Sequence, residues 1–203
     1  MRKEKLNELS SYIKEFKTKK LELLDKESGF LKIKTYKSYL EDGRELIRDK
    51  LIKGNSDGNA SIILPITTDN EVILTVQPRI FTKSTVGIAL PAGYVEEDET
   101  HIDSARRELL EETGYKSDEL IEVCELYQDE GCGGAYNKGY LALNCKKIGK
   151  QKLDKDEYIK YFKCSIDELY ELVDKKYILD GGSLLLIERA KKYIEERKKN
   201  ETV

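Results

Sequence analysis

The sequence predicts an α/β fold, a β-sheet carrying helices and preceded by an N-terminal helix and β-hairpin. Three observations predict it. Ala60-Ser61-Ile62-Ile63-Leu64-Pro65-Ile66 and Val72-Ile73-Leu74-Thr75-Val76 are β-branched runs about a turn, apolar enough for the centre of a sheet. Apolar residues recur at helical spacing at Ile102, Ala105 and Leu109, and again from Ser183 to Lys198. Asp42-Gly43 lies between two runs rich in apolar and aromatic residues, a strong hairpin signal.

In chain order, Leu6, Leu9, Ile13, Phe16 and Leu24, with Leu21 and Leu23 filling in, give an amphipathic helix from Glu4 to about Leu24. Such a stripe needs a surface to cover, and its basic side reads as a solvated face rather than a nucleic-acid contact. Phe30–Tyr36 and Leu46–Ile52 supply the hairpin strands, and the loop Gly54–Asn59 closes an N-terminal element, residues 1–55, ahead of a main domain at 56–203. Ile80–Thr85 reads as a loop, and Ile88-Ala89-Leu90-Pro91-Ala92 leads into an acidic segment. There Thr100 is the N-cap of a helix, Asp103 the returning carboxylate of a capping box, and Gly114 the stop. Ile121–Tyr127, Tyr140–Cys145 and Tyr158–Cys164 read as further strands, and Ser165 with Glu168 caps another helix.

A chain of 203 residues supports one substantial core and not two large domains. Charged residues at 37% against hydrophobic residues at 39% indicate a heavily solvated surface. No apolar run approaches the ~20 residues that span a bilayer. The start, Met1-Arg2-Lys3-Glu4-Lys5, is charged rather than a signal core, so no membrane partner and a cytoplasmic location are expected. A net charge of −3 offers no general attraction to nucleic acid. Cys124, Cys132, Cys145 and Cys164 lack the paired spacing of zinc sites and read as reduced, structural thiols.

The organising stretch is Gly93 to Tyr115: Gly93, five residues, Glu99, seven residues, then Arg107-Glu108-Leu109-Leu110-Glu111-Glu112-Thr113-Gly114. On a helix, Glu108, Glu111 and Glu112 fall at i, i+3 and i+4 and crowd one side of one turn. Uncompensated like charges at these spacings are destabilising, so such crowding points to a cation held there, and hard oxygen donors suit Mg2+. Charge runs on helices are usually solvated faces, which accounts for Glu96, Glu97 and Asp98 but not for the whole set.

This pattern resembles the Nudix box, the signature of hydrolases acting on a nucleoside diphosphate linked to another group. The resemblance implies an α/β/α sandwich with a mixed sheet, and a box folded as loop, helix and loop. It implies Mg2+, with Mn2+ as the alternative, held by Glu108, Glu111 and Glu112 and by the backbone carbonyl of Ala92. Glu111 and Glu112 are then also catalytic candidates, while Glu99 pairs with Arg107, and Gly93 and Gly114 are structural. Bound metal offsets the repulsion between phosphoryl oxygens and a nucleophile, and a carboxylate must accept the proton of the attacking water. Tyr115 departs from the Ile, Leu or Val usual in the family.

The likeness extends further. Gln77-Pro78-Arg79, followed after a loop by Leu90-Pro91-Ala92-Gly93, is similar to the matching segment of ADP-ribose pyrophosphatases, as are the early hairpin and the late segment Leu153-Asp154-Lys155-Asp156-Glu157. This implies Glu157 as the general base, an exposed surface acid being the alternative. It makes Arg79 a phosphate contact through its fork of donors, a surface arginine being the alternative. Ala89 departs from the Glu common in those enzymes, and a loop at Gly131–Asn137, expected to be flexible and close to the pocket, replaces a usual proline. His101, the single histidine, is expected to be exposed, and no base marks Cys132, which argues against Ser/His or Cys/His chemistry.

The reaction expected is Mg2+-dependent cleavage of the pyrophosphate bond of ADP-ribose or a nucleotide sugar, giving AMP and a sugar phosphate. Alternatives are a dinucleoside polyphosphate or NADH as substrate, or a non-catalytic nucleotide-binding sensor. A homodimer is expected, because the N-terminal helix and hairpin lack an evident partner in one small sandwich.

Overall fold

Helix α1 spans Lys3–Phe16 and ends where Lys17 turns to extended backbone. The computed structural model describes residues 1–200 except Asp25, Glu27 and Asn55, with side chains described through Glu196. Asn55, in the loop that divides the expected units, thus lies outside the described residues. Helix α1 is shorter than its apolar pattern suggested. Leu21, Leu23 and Leu24 are exposed, and Lys17-Thr18-Lys19-Lys20 offers no apolar side chain to extend the buried stripe. The Thr18 N–H donates to Thr85 Oγ1 at 3.1 Å instead.

Strands β1 (Leu31–Tyr39) and β2 (Glu45–Lys53) pair antiparallel from Leu31↔Lys53 to Tyr39↔Glu45 as a sheet of their own. Gly43 adopts φ +85° in the Asp42-Gly43 turn, a conformation open to glycine without a Cβ clash. β3 (Ala60–Thr67), β4 (Glu71–Pro78), β5 (Val86–Ala89) and β6 (Ala92–Tyr94) lead to α2 (His101–Thr113). β7 (Tyr115–Lys116), β8 (Glu119–Tyr127), β9 (Tyr136–Lys147) and β10 (Lys160–Ser165) follow, then α3 (Ile166–Asp174) and α4 (Gly181–Asn200). β9 begins earlier than its apolar run suggested, because Tyr136–Gly139 pair with β3 and β8 while offering few apolar residues. The two-residue β7 has no sequence signature at all.

The main sheet runs β10-β4-β3-β9-β7, with β5 on β4, β6 on β3 and β8 on β9. β3 and β9 are parallel and their neighbours antiparallel, so the sheet is mixed. Side-chain alternation sorts the central strands onto two faces. Ile63 and Ile73 pack with Ala105 and Leu109 of α2 and with Tyr115 and Tyr140. Ile62, Leu64, Val72 and Leu74 pack with Leu9, Leu169, Leu172, Leu186 and Ala190 from the other three helices. The result is an α/β/α sandwich with both sheet faces covered, which is why β3 and β4 read as continuous apolar runs.

Helix α1 does have a partner within the chain, contrary to expectation. It packs on β4 and β10, with Leu9 wholly buried. Arg2 donates from Nε and Nη2 to Glu168 at 3.0 and 2.9 Å, tying the helix start to α3. The hairpin, in contrast, exposes β1 along its whole length. No helix of the described residues is long and apolar enough to cross a membrane.

Candidate active site

Thr100 caps α2 by accepting from the Asp103 N–H at 3.3 Å. Asp103 does not return its carboxylate to the Thr100 backbone as expected; it takes the Thr100 hydroxyl at 2.5 Å. At the other end Gly114 adopts φ +71° and its N–H donates to Leu110 O at 2.7 Å, closing the helix. Both boundaries hold the box glutamates in a fixed phase. Ala105 and Leu109 face the sheet, and Glu108 and Glu112, one turn apart, turn toward β6 and are buried to 9% and 3% relative exposure. The sequence placed these glutamates off the apolar stripe, and they face protein rather than water.

β6 makes room for them. A Cβ built on Gly93 would lie 1.9 Å from Glu108 Cδ, so only glycine lets that carboxyl rest against the strand. Glu112 Oε2 accepts from the Ala92 N–H at 3.1 Å. Ala92 was expected to act through its carbonyl, whereas this contact uses its N–H.

Arg107 spends its entire donor set on the box. Nε and Nη2 grip Glu99 Oε1 and Oε2 at 2.9 and 3.0 Å. Nη2 also donates to Tyr94 O at 2.9 Å. Nη1 bridges Glu108 Oε1 at 2.6 Å and Glu111 Oε2 at 3.0 Å. One guanidinium therefore serves three carboxylates, and none of its donors is left for Glu112. Burial opposes ionisation of Glu99, yet the Arg107 bonds hold it below its ordinary range.

Burial pushes the Glu108 carboxyl up to about 7, against the pull of Arg107, with the charges of Glu111 and Glu157 adding to the rise. Burial also raises Glu112 well above the usual range, helped by Glu108 and Glu157 and opposed by the Ala92 N–H and Arg79. Two carboxyl groups sunk together, each destabilised as an anion, form a donor set that a hard divalent cation fits. Among the described residues no three acidic, His or Cys side chains converge as a ready ligand cluster, and Arg107 and Ala92 engage the glutamate oxygens.

The loop that joins β9 to β10 runs along the end of α2. Gln151 Nε2 donates to Glu112 O at 2.6 Å and to Ile159 O at 3.1 Å. The Lys152 N–H donates to Glu111 O at 2.9 Å. The last carbonyls of a helix have no partner within it, and here they anchor the segment that carries Glu157. Glu157 is exposed, its carboxylate accepting from the Asp154 N–H at 3.1 Å, and its charge is felt at both Glu108 and Glu112. Arg79, exposed just past β4, is fixed by its N–H to Thr85 O at 2.8 Å, and its charge reaches Glu112.

A family model described as the NUDIX domain matches residues 57–181. The chain belongs to the Nudix family. As a Nudix protein it is a pyrophosphohydrolase, of a family that generally uses divalent metal ions. It is 27% identical over 130 residues to the ADP-ribose pyrophosphatase of Bacillus subtilis, covering 64% of this chain and 70% of that protein. It is 26% identical over 130 residues, with the same coverage, to the methanol dehydrogenase activator of Bacillus methanolicus. A solved structure described as an ADP compounds hydrolase superposes with a TM-score of 0.71 at 14% identity, covering 85% of this chain and 90% of that one, a likeness of fold.

Two features of this Nudix protein differ from expectation. His101 is half-buried, its Nε2 3.1 Å from Tyr136 O and its ring edge-on to Tyr136. The glycine-rich loop is tied to the hairpin rather than free: the Leu51 N–H donates to Cys132 O at 2.6 Å, and Gly134 sits where a Cβ would meet Asp57 Oδ2 at 2.7 Å. Cys132 is exposed, with Asp129 raising its thiol, while burial pushes Cys145 and Cys164 up to about 12, so none is poised as a thiolate. Gln151 and Lys152 are the contacts that the sequence did not reveal; the only signal available was that the carbonyls at the end of α2 require partners. Tyr115 is held by Lys147, whose Nζ stacks over the Tyr115 and Tyr161 rings and donates to Thr113 O at 2.6 Å.

Proposed function

We propose that this Nudix enzyme hydrolyses the pyrophosphate bond of ADP-ribose or a nucleotide sugar, releasing AMP and a sugar phosphate, with Mg2+ as its ion and Mn2+ as a substitute. The carrying observation is the pair of buried carboxyls, Glu108 and Glu112, seated against Ala92 and Gly93. Glu108, Glu111 and Glu112, with the Ala92 carbonyl, would hold the ion. When bound, it screens phosphate charge against an incoming nucleophile. Glu99 and Arg107 hold the box loop on its helix, and Gly93 and Gly114 give the close approach and the helix stop. Arg79 binds a phosphate through its guanidinium fork. Glu157 takes the proton of the attacking water, on a loop that Gln151 fastens to the carbonyl of Glu112. The relative from Bacillus subtilis supports the choice of substrate.

In this reading residues 1–55 form an accessory element and 56–203 the hydrolase domain, acting in the cytoplasm on a small nucleotide rather than on nucleic acid. The hairpin is the surface for a homodimer: cross-strand pairing puts Leu31, Ile33, Leu51, Ile47 and Tyr39 on one face, and most of them are exposed. Sedimentation showing only monomer would remove that part.

The test is a substrate panel assayed with Mg2+. Release of AMP and ribose 5-phosphate from ADP-ribose is expected. Efficient cleavage of NADH or a dinucleoside polyphosphate with no turnover of ADP-ribose, or nucleotide binding without turnover of any, would overturn the assignment.

A further inference from the structure

Arg107 has two edges with different tasks. The Nε and Nη2 edge meets Glu99 as a fork-to-fork pair and also holds Tyr94 O, joining loop to helix. Nη1, on the other edge, touches neither; its two protons go to Glu108 and Glu111. These are two of the three side chains assigned above to the ion. Their oxygens carry charge-assisted bonds, the strong class, and Glu108 is nearly buried, so the contact cannot be traded for water without cost. Among the described residues, Glu112 has no share in the guanidinium and its carboxylate receives the Ala92 N–H alone.

From this we infer that Arg107 Nη1 is a built-in competitor for the metal site: it bonds Glu108 and Glu111, and a divalent cation must displace it from both, while the Glu99 edge stays in place. The inference rests on the proposed ligand roles of Glu108 and Glu111. The guanidinium fits the task because its planar fork can keep one edge bonded while the other lets go. The same arginine then keeps the box folded before loading and limits how tightly metal is held, which suits an ion that is shared with a departing product.

The experiment follows the arginine side chains of the wild-type protein by NMR as Mg2+ is titrated, with binding measured in parallel by calorimetry. Loss of hydrogen-exchange protection at Arg107 Nη1, with protection kept at Nε, is expected as Mg2+ saturates. Protection kept at both, or lost at both, while calorimetry reports binding would overturn the competitor and leave the proposed function standing. No Mg2+ binding at all would overturn both. A second arm compares Arg107→Gln with wild type: Mg2+ should bind about tenfold more tightly once one charge-assisted competitor is removed. The added ion should also raise the melting temperature of the variant by more than that of wild type. Equal or weaker binding by a folded variant would sink the proposal.

Discussion

Gly93 lies directly against the Glu108 carboxyl: a single methyl group on the strand would fall 1.9 Å from Glu108 Cδ. Because the obstructing atoms are the end of a side chain, Gly93→Ala should fold, with a loss of about 1–3 kcal/mol as Glu108 is pushed aside. Turnover should suffer more, by about 100-fold, since a carboxylate misplaced by an ångström is enough to cost that much. Thermal melts and steady-state rates on the same preparation check both; full activity in Gly93→Ala would contradict the geometry.

Glu157→Gln tests the proposed base. The rate should fall by about 100-fold or more. Mg2+ affinity by calorimetry should not change. A steady-state rate equal to wild type would exclude Glu157.

Gln151→Ala removes two bonds, to Glu112 O and Ile159 O, and leaves a buried carbonyl at the end of α2 unsatisfied. A loss of about 1–3 kcal/mol is expected, or about 2–4 °C in melting temperature per kcal/mol for a chain of this length. Because the same bonds position the Glu157 loop, kcat should fall while Mg2+ affinity is retained. Unchanged kcat would show that the loop finds its place without Gln151.

Glu168 should make stability fall in acid. Its bonds with Arg2, aided by the Arg2 and Ser165 N–H groups against a smaller burial effect, hold its carboxyl down at about 2. A carboxyl lowered on folding contributes fully above its unfolded value of about 4.3 and loses that contribution as pH falls toward 2. Arg2→Ala should therefore be less stable than wild type at neutral pH, and the gap should narrow in melts from pH 4.5 down to pH 2. A gap independent of pH would place the stabilisation elsewhere.

Much of this molecule could be read from local chemistry. Thr100, Gly114, Ser165 and the Asp42-Gly43 turn mark boundaries because caps and turns are decided within a few residues, and the structure puts helix ends and hairpin there. α1 was overrun because Leu21, Leu23 and Leu24 look like a continued stripe, whereas no surface lies beneath them. The early part of β9 was hidden because Gly139 is chosen for closeness, a Cβ there meeting Cys124 Sγ at 2.6 Å, and not for strand propensity. At the site, the spacing of the glutamates was legible, but their burial was not, since it depends on β6 lying beside α2. Gln151 was invisible for the same reason: its partner is 39 positions away, and nothing local requires it.

The parallel pairing of β3 with β9 has a temporal meaning. Ala60 lies opposite Asn137, 77 positions later, and the connection between these strands contains every box residue from Gly93 to Gly114. Parallel neighbours cannot close through a tight turn, and so distant a pairing is slow to form. A growing chain that has not yet reached Asn137 already carries all the box glutamates but lacks the strand on which β3, and through it β6, comes to rest. The acidic helix is thus synthesised before the strand that completes its sheet.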